Sequence, residues 1–154
     1  MIESLFTAIR NGDKDSVSKL LAEHPDWVTK SDARGSTPLL LATYYGHLEI
    51  SQELLKYPQN VDKRDASGNT ALMGVCFKGH AAIAKLLLDH GADIDATNSN
   101  GASSLIFATM FGKEAIVSLL LNRHADKNVK DERGHTALDH AKMQQALSII
   151  ELLQ

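Results

Sequence analysis

Glycine recurs in this chain at Gly35, Gly68, Gly101 and Gly134, a step of 33 residues that never slips. A fixed period of that length means stacked copies of one small supersecondary unit, so it constrains the fold before any single element is assigned. Three residues before each glycine stands Asp32, Asp65, Asn98 or Asp131, the pattern of a type I turn with Asp or Asn first and Gly fourth. Two residues after it stands Thr37, Thr70, Ser103 or Thr136, whose hydroxyl can accept a hydrogen bond from an unpaired amide at a helix start. Pro38 follows the first of these caps, where its missing N–H is no loss and its fixed φ suits the helix.

From each cap, Leu39, Leu72, Leu105 or Leu138 opens an apolar face, and the helix runs toward Gly46, Gly79 or Gly112, where a positive φ can end it. A second helix follows with Ile50, Ile83, Ile116 and Ile149, then Leu54, Leu87, Leu120 and Leu153. That i, i+4 spacing is one apolar stripe per helix. Two helices of about ten residues cannot bury such a stripe alone, so the units must stack into a continuous core. An imperfect first unit is visible as Ala8, Gly12, Val17, Leu20 and Leu21, 34 residues before Ala42, Gly46, Ser51, Leu54 and Leu55. The reading is a single all-α domain over 1–154, a solenoid of stacked helix-turn-helix units with short β-turn or hairpin loops. Its units are 1–31 as an N-terminal cap, 32–64, 65–97, 98–130, and 131–154 as a C-terminal cap.

Composition narrows the function. Apolar residues make up 44% and charged residues 23% of the chain, as in soluble globular domains. The formal charge of −3 and the interleaving of Arg123, Lys127, Lys130 and Arg133 with Asp126, Asp131 and Glu132 disfavour a nucleic-acid partner. No apolar run is long enough for a membrane span, and the first residues do not read as a secretory signal. The single cysteine, Cys76, suits a reducing compartment. A cytoplasmic protein is the expectation.

The runs Gly35-Ser36-Thr37-Pro38-Leu39-Leu40-Leu41-Ala42 and Gly46-His47-Leu48-Glu49-Ile50, with the loop Leu86-Leu87-Leu88-Asp89-His90-Gly91-Ala92-Asp93-Ile94-Asp95, resemble ankyrin repeats over nearly the whole chain. The resemblance implies an ankyrin-repeat solenoid whose turn tips and inner helices form a concave, partner-binding surface without chemistry or cofactor of its own. Three departures stand out. The histidine usual after the Thr-Pro-Leu run is replaced by Leu40, Met73, Ile106 and Asp139, which questions a hydrogen-bond ladder between units. Pro58 and His124 stand where Gly91 does, so those two loops are expected to take a different path. Gln145 replaces the mid-unit glycine of the last unit, which also carries the polar residues Asp139, Lys142, Gln144, Gln145 and Glu151 that suit an end cap.

The resemblance places the partner-facing positions at the turns and just before the mid-unit glycine. At the turns these are Arg34 and Ser36, Ser67 and Asn69, Asn100, then Arg133 and His135. On the helices they are Tyr44 and Tyr45, Phe77 and Lys78, Met110 and Phe111, with Met143 and Gln144 last. Of the chain's eight aromatic residues, four fall at these eight helix positions, and aromatic and Met side chains are enriched at protein interfaces. The competing reading is that Tyr44, Phe77, Met110 and Met143 pack against the next unit.

Catalytic and metal chemistry find little support. Cys76 and His80 have i, i+4 spacing, but Gly79 lies between them and no second pair at zinc spacing accompanies them. The pairs Asp13/Asp15 and Asp93/Asp95 read as turn residues, and no phosphate loop, nucleophile elbow or His-Glu-x-x-His segment occurs. Trp27 beside Val28 reads as packed in the loop that closes the first unit. The leading function is therefore an adaptor, scaffold or inhibitor that holds another protein on the concave face. A homodimer closed by the same face is the alternative from a structural class. A metal protein or enzyme ranks last, so the expected catalytic residues, metal ligands and cofactors are none.

Overall fold

A computed structural model describes residues 1–154. It contains ten helices: α1 (Glu3–Arg10), α2 (Lys14–Glu23), α3 (Pro38–Tyr44), α4 (Leu48–Leu54), α5 (Ala71–Lys78), α6 (Ala81–Asp89), α7 (Ser104–Met110), α8 (Glu114–Asn122), α9 (Ala137–Met143) and α10 (Leu147–Leu153), with a 3-10 turn at Pro25–Thr29. There is no strand, only an isolated bridge between Thr97 and Ser103. Most helices are shorter than the ten residues expected, because the cap and the mid-unit reversal leave room for about two turns at 3.6 residues each. The hydroxyls of Thr37, Thr70, Ser103 and Thr136 accept from the amides of Leu40, Met73, Ile106 and Asp139, each cap contributing about 1 kcal/mol.

Odd-numbered helices pack along one row and even-numbered helices along another. The odd row is the more closely spaced, so the stack curves toward it. The predicted stripe is the core: Ile50, Ile83, Ile116 and Ile149 are buried together with Leu54, Leu87, Leu120 and Leu153. The ends of the stack reveal which way each position faces. In α2, Val17 and Leu21 are buried while Ser16 and Leu20 are only half-buried; in α10, Ile149 and Leu153 are buried while Ile150 is half-buried. Positions 3 and 7 of an even helix thus face the preceding unit, and positions 4 and 8 face the following one. The last unit also leaves Leu147 exposed among the polar residues read as a cap, and Leu138 half-buried.

The missing histidine does not leave the units unlinked. Asp62 Oδ1 accepts from the Asp93 amide and Asp95 Oδ1 from the Asp126 amide, at 2.9 and 2.8 Å. Asn98 Nδ2 donates to Asn69 Oδ1 at 2.9 Å, and the Glu132 amide donates to the Asn100 carbonyl at 2.9 Å. Arg123, the C-cap of α8, reaches back to Asp89 at the end of α6 at 2.7 Å. Asp93 and Asp95 are turn residues as read, and Asp95 also ties its loop to the next.

The expectation that both Pro58 and His124 divert their loops is corrected by the backbone. His124 adopts φ +67°, the left-handed conformation that Gly91 takes at φ +85°. Its loop closes in the same way: the Ala125 amide donates to the Leu120 carbonyl as the Ala92 amide does to Leu87. Only Pro58 diverts the chain, since its ring forbids positive φ and removes the N–H. There the Gln59 side-chain amide donates to the Leu54 carbonyl at 2.7 Å, standing in for the backbone amide that serves the other loops. Gln145 likewise takes φ +57°. A left-handed non-glycine residue costs roughly 1–2 kcal/mol, partly offset by the greater unfolded-state freedom of glycine. Because the His124 side chain is exposed, His124→Gly is expected to stabilise the fold by about 0.5–1 kcal/mol, read as a raised urea midpoint with unchanged slope.

Candidate partner-binding face

Each unit delivers its odd helix to the same place, because the cap fixes where the helix begins and the mid-unit reversal fixes where it ends. Tyr44 and Met110 are the last residues of α3 and α7, and Tyr45 and Phe111 are their C-caps; Phe77 and Lys78 close α5, and Met143 with Gln144 closes α9. Tyr44 is 39% exposed, Tyr45 48%, Phe77 40%, Phe111 40% and Met143 58%, so these side chains do not vanish into the seams between units. The packing reading applies to Met110, which is half-buried against the core.

The aromatic rings form one row across three units. Tyr44 stacks on Phe77 with centroids 6.4 Å apart and planes at 14°, and Phe77 meets Phe111 edge-on at 4.6 Å. Tyr45 flanks Tyr44 at 5.7 Å, Phe107 stacks on Phe111 at 6.0 Å, and Lys78 Nζ lies 5.1 Å from the Tyr44 ring centre. Beside the row runs a groove of about 510 Å³, bordered by Arg34, Ser36, Asp65 and Asn69 and walled by Leu41, Tyr44, Tyr45, Phe77, Phe107 and Phe111.

Of the residues read as partner-facing, Arg34, Ser36, Tyr44, Tyr45, Asn69, Phe77 and Phe111 converge on this groove. Ser67, Lys78, Asn100 and Arg133 are exposed but lie outside its lining, and His135 is half-buried at the last turn. Sequence reasoning missed the position nine residues after the first residue of each turn, occupied by Leu41, Gly74, Phe107 and His140. It faces the groove in three units, and Gly74 opens it: a Cβ there would lie 3.6 Å from Tyr44 Cδ1. A glycine inside a helix costs up to about 1 kcal/mol relative to alanine, and that penalty within α5 was the available signal.

Cys76 is fully buried, matches Thr43 and Thr109 in register, and has its thiol pushed up to about 12 by burial, against a smaller opposing effect of Ser104. Such a thiol is inert. His80, the other half of the Cys76 pair, places Nε2 3.1 Å from the Tyr44 carbonyl instead. Asp13 caps α2 by accepting from the Ser16 amide. Trp27 is half-buried and stacks on His24 with centroids 3.9 Å apart. No helix is long and apolar enough to cross a membrane.

A family model described as ankyrin repeats (3 copies) matches residues 5–98 and 91–154 of the chain. No curated protein matches it.

Proposed function

We propose that this chain, which belongs to the ankyrin repeat family, binds a partner protein along the aromatic row and groove of its odd-numbered helices, acting as an adaptor, scaffold or inhibitor. Members of the family are generally protein–protein interaction modules. The observation that carries the reading is the exposure of four aromatic side chains, each 39–48%, in one contiguous row. Aromatic anchors that are already held in place lose little freedom on binding and bury large areas. Polar groups at the groove mouth, Arg34, Ser36 and Asn69, provide the directional contacts that such a rim needs. A reducing compartment such as the cytoplasm is compatible with the lone buried thiol of Cys76.

The test compares the original protein with a Tyr45→Ser, Phe111→Ser variant. Because both rings are substantially exposed, each substitution should lower stability by less than about 1 kcal/mol, which urea unfolding checks. A partner captured from native lysate should be retained by the original and lost by the folded variant, with affinity falling roughly tenfold or more per anchor. Equal capture by both would place the interface elsewhere. Light scattering that finds a dimer dissociated by the same two substitutions would assign the face to self-association instead.

A further inference from the structure

The last turn differs from the others in a concerted way. Counting from the first residue of each turn, positions +4 and +9 are Ser36 and Leu41, Asn69 and Gly74, or Ala102 and Phe107 in the middle units; after Asp131 they are His135 and His140. The fold brings these three together. A ligand-type atom from each of Asp131, His135 and His140 lies within 4.8 Å of the other two, and all three residues are half-buried. His140 Nε2 is 2.7 Å from Asp131 Oδ2, with the two side chains each 12% exposed, and the rings of His135 and His140 meet edge-on at 5.4 Å.

The frame holding them is stiff. Asp131 Oδ1 is committed to the amides of Arg133 and His135, at 3.0 Å each, which aims Oδ2 at the cluster. The Asp131 amide donates to the His135 carbonyl, and Thr136 and Asp139 close the start of α9 with a reciprocal capping box. Ligand atoms around a tetrahedral ion with bonds of about 2.0–2.2 Å sit roughly 3.3–3.6 Å apart. The Asp131–His140 pair, 2.7 Å apart, would open slightly, and His135, whose ligand atom lies within 4.8 Å of the other two, would need to close by no more than about 1.5 Å, a rotamer adjustment rather than a backbone movement.

We propose that Asp131, His135 and His140 form a three-ligand site for a borderline divalent transition-metal ion of the zinc class, which staples the last turn to α9. Two imidazoles and one carboxylate favour Zn²⁺, Co²⁺ or Ni²⁺ over Mg²⁺ and Ca²⁺, which prefer all-oxygen shells. Three protein ligands leave one coordination position for water or an outside donor. The His135-x4-His140 spacing falls within the His-x3–5-His range of zinc sites, and the turn brings Asp131 to the same point as the third ligand.

The experiment is calorimetric titration of the chelator-treated full chain with zinc chloride, paired with thermal unfolding with and without zinc. The original protein should bind one equivalent and unfold at a higher temperature with zinc. His135→Ala is the informative variant, since the His135 ring makes no hydrogen bond and its loss leaves the turn intact; its helical ellipticity confirms folding. It should bind zinc roughly a hundredfold more weakly and lose the temperature shift, as loss of outer-shell partners alone reaches tenfold to a hundredfold. His90→Ala, outside the cluster, should behave as the original. No saturable binding by the original, or less than about a tenfold loss in His135→Ala, overturns the proposal.

Discussion

Leu87→Ala is expected to lower the free energy of unfolding by about 3–4 kcal/mol and to uncouple the unfolding of the two ends of the stack. Leu87 is fully buried at position 7 of α6, the position that faces the preceding unit, and its equivalents Leu54 and Leu120 are buried as completely. Removing three methyl or methylene groups there loses their transfer free energy and leaves a cavity that short, capped helices cannot collapse to fill. In a stacked array, stability is close to a sum of unit terms and nearest-neighbour interface terms. A loss of that size at one seam is a large share of a total of order 10 kcal/mol. Trp27 reports on the first unit alone, whereas far-ultraviolet ellipticity reports on all helices. In the original the two urea transitions should coincide, and in Leu87→Ala they should separate. Leu152→Ala, at a position 36% exposed, should cost less than about 0.5 kcal/mol. Coincident transitions in Leu87→Ala, with a loss below about 2 kcal/mol, would show that the seam is not where the core is held.

What could be read from the sequence was whatever repeats. Turn, cap, helix reversal and the Ile and Leu stripe recur every 33 residues, and each has a local chemical reason, so the units and their core were legible without a structure. The conformation of His124 was not, because a single non-glycine residue at φ +67° is imposed by the loop hydrogen bonds on either side of it. Nor was the exchange of a backbone amide for the Gln59 side chain at Pro58, which depends on reach rather than propensity. The candidate face was half legible: the aromatic positions before the mid-unit glycine were, but the position that lines the groove as Leu41, Gly74 and Phe107 was not. His135 and His140 do stand at a His-x4-His zinc spacing, which the sequence reading passed over when it found no second pair; what the sequence did not show is that the turn folds back to bring Asp131 beside them.

Gly46→Ala is expected to cost about 2–3 kcal/mol, whereas Gly112→Ala, the same change two units on, should cost about 1 kcal/mol. Both glycines adopt positive φ, +80° and +68°, so both substitutions carry the left-handed penalty less the unfolded-state gain of alanine. They differ in what lies above them. A Cβ at Gly46 would sit 2.7 Å from His80 Cε1, while one at Gly112 would meet nothing within 4 Å. His80 is held by its hydrogen bond to the Tyr44 carbonyl, so the ring can retreat only by giving up that bond, worth about 1 kcal/mol. The same logic explains the last unit: Gln145 keeps the backbone conformation of the mid-unit glycines at φ +57°, and no following unit lays a side chain over it. The mid-unit glycine thus answers two demands, a backbone conformation and the close approach of the next unit. Unfolding of Gly46→Ala, Gly112→Ala and Gly46→Ala combined with His80→Ala separates them. The double variant should recover much of the difference between the two glycines; if Gly46→Ala and Gly112→Ala cost the same, contact between units plays no part in keeping Gly46 a glycine.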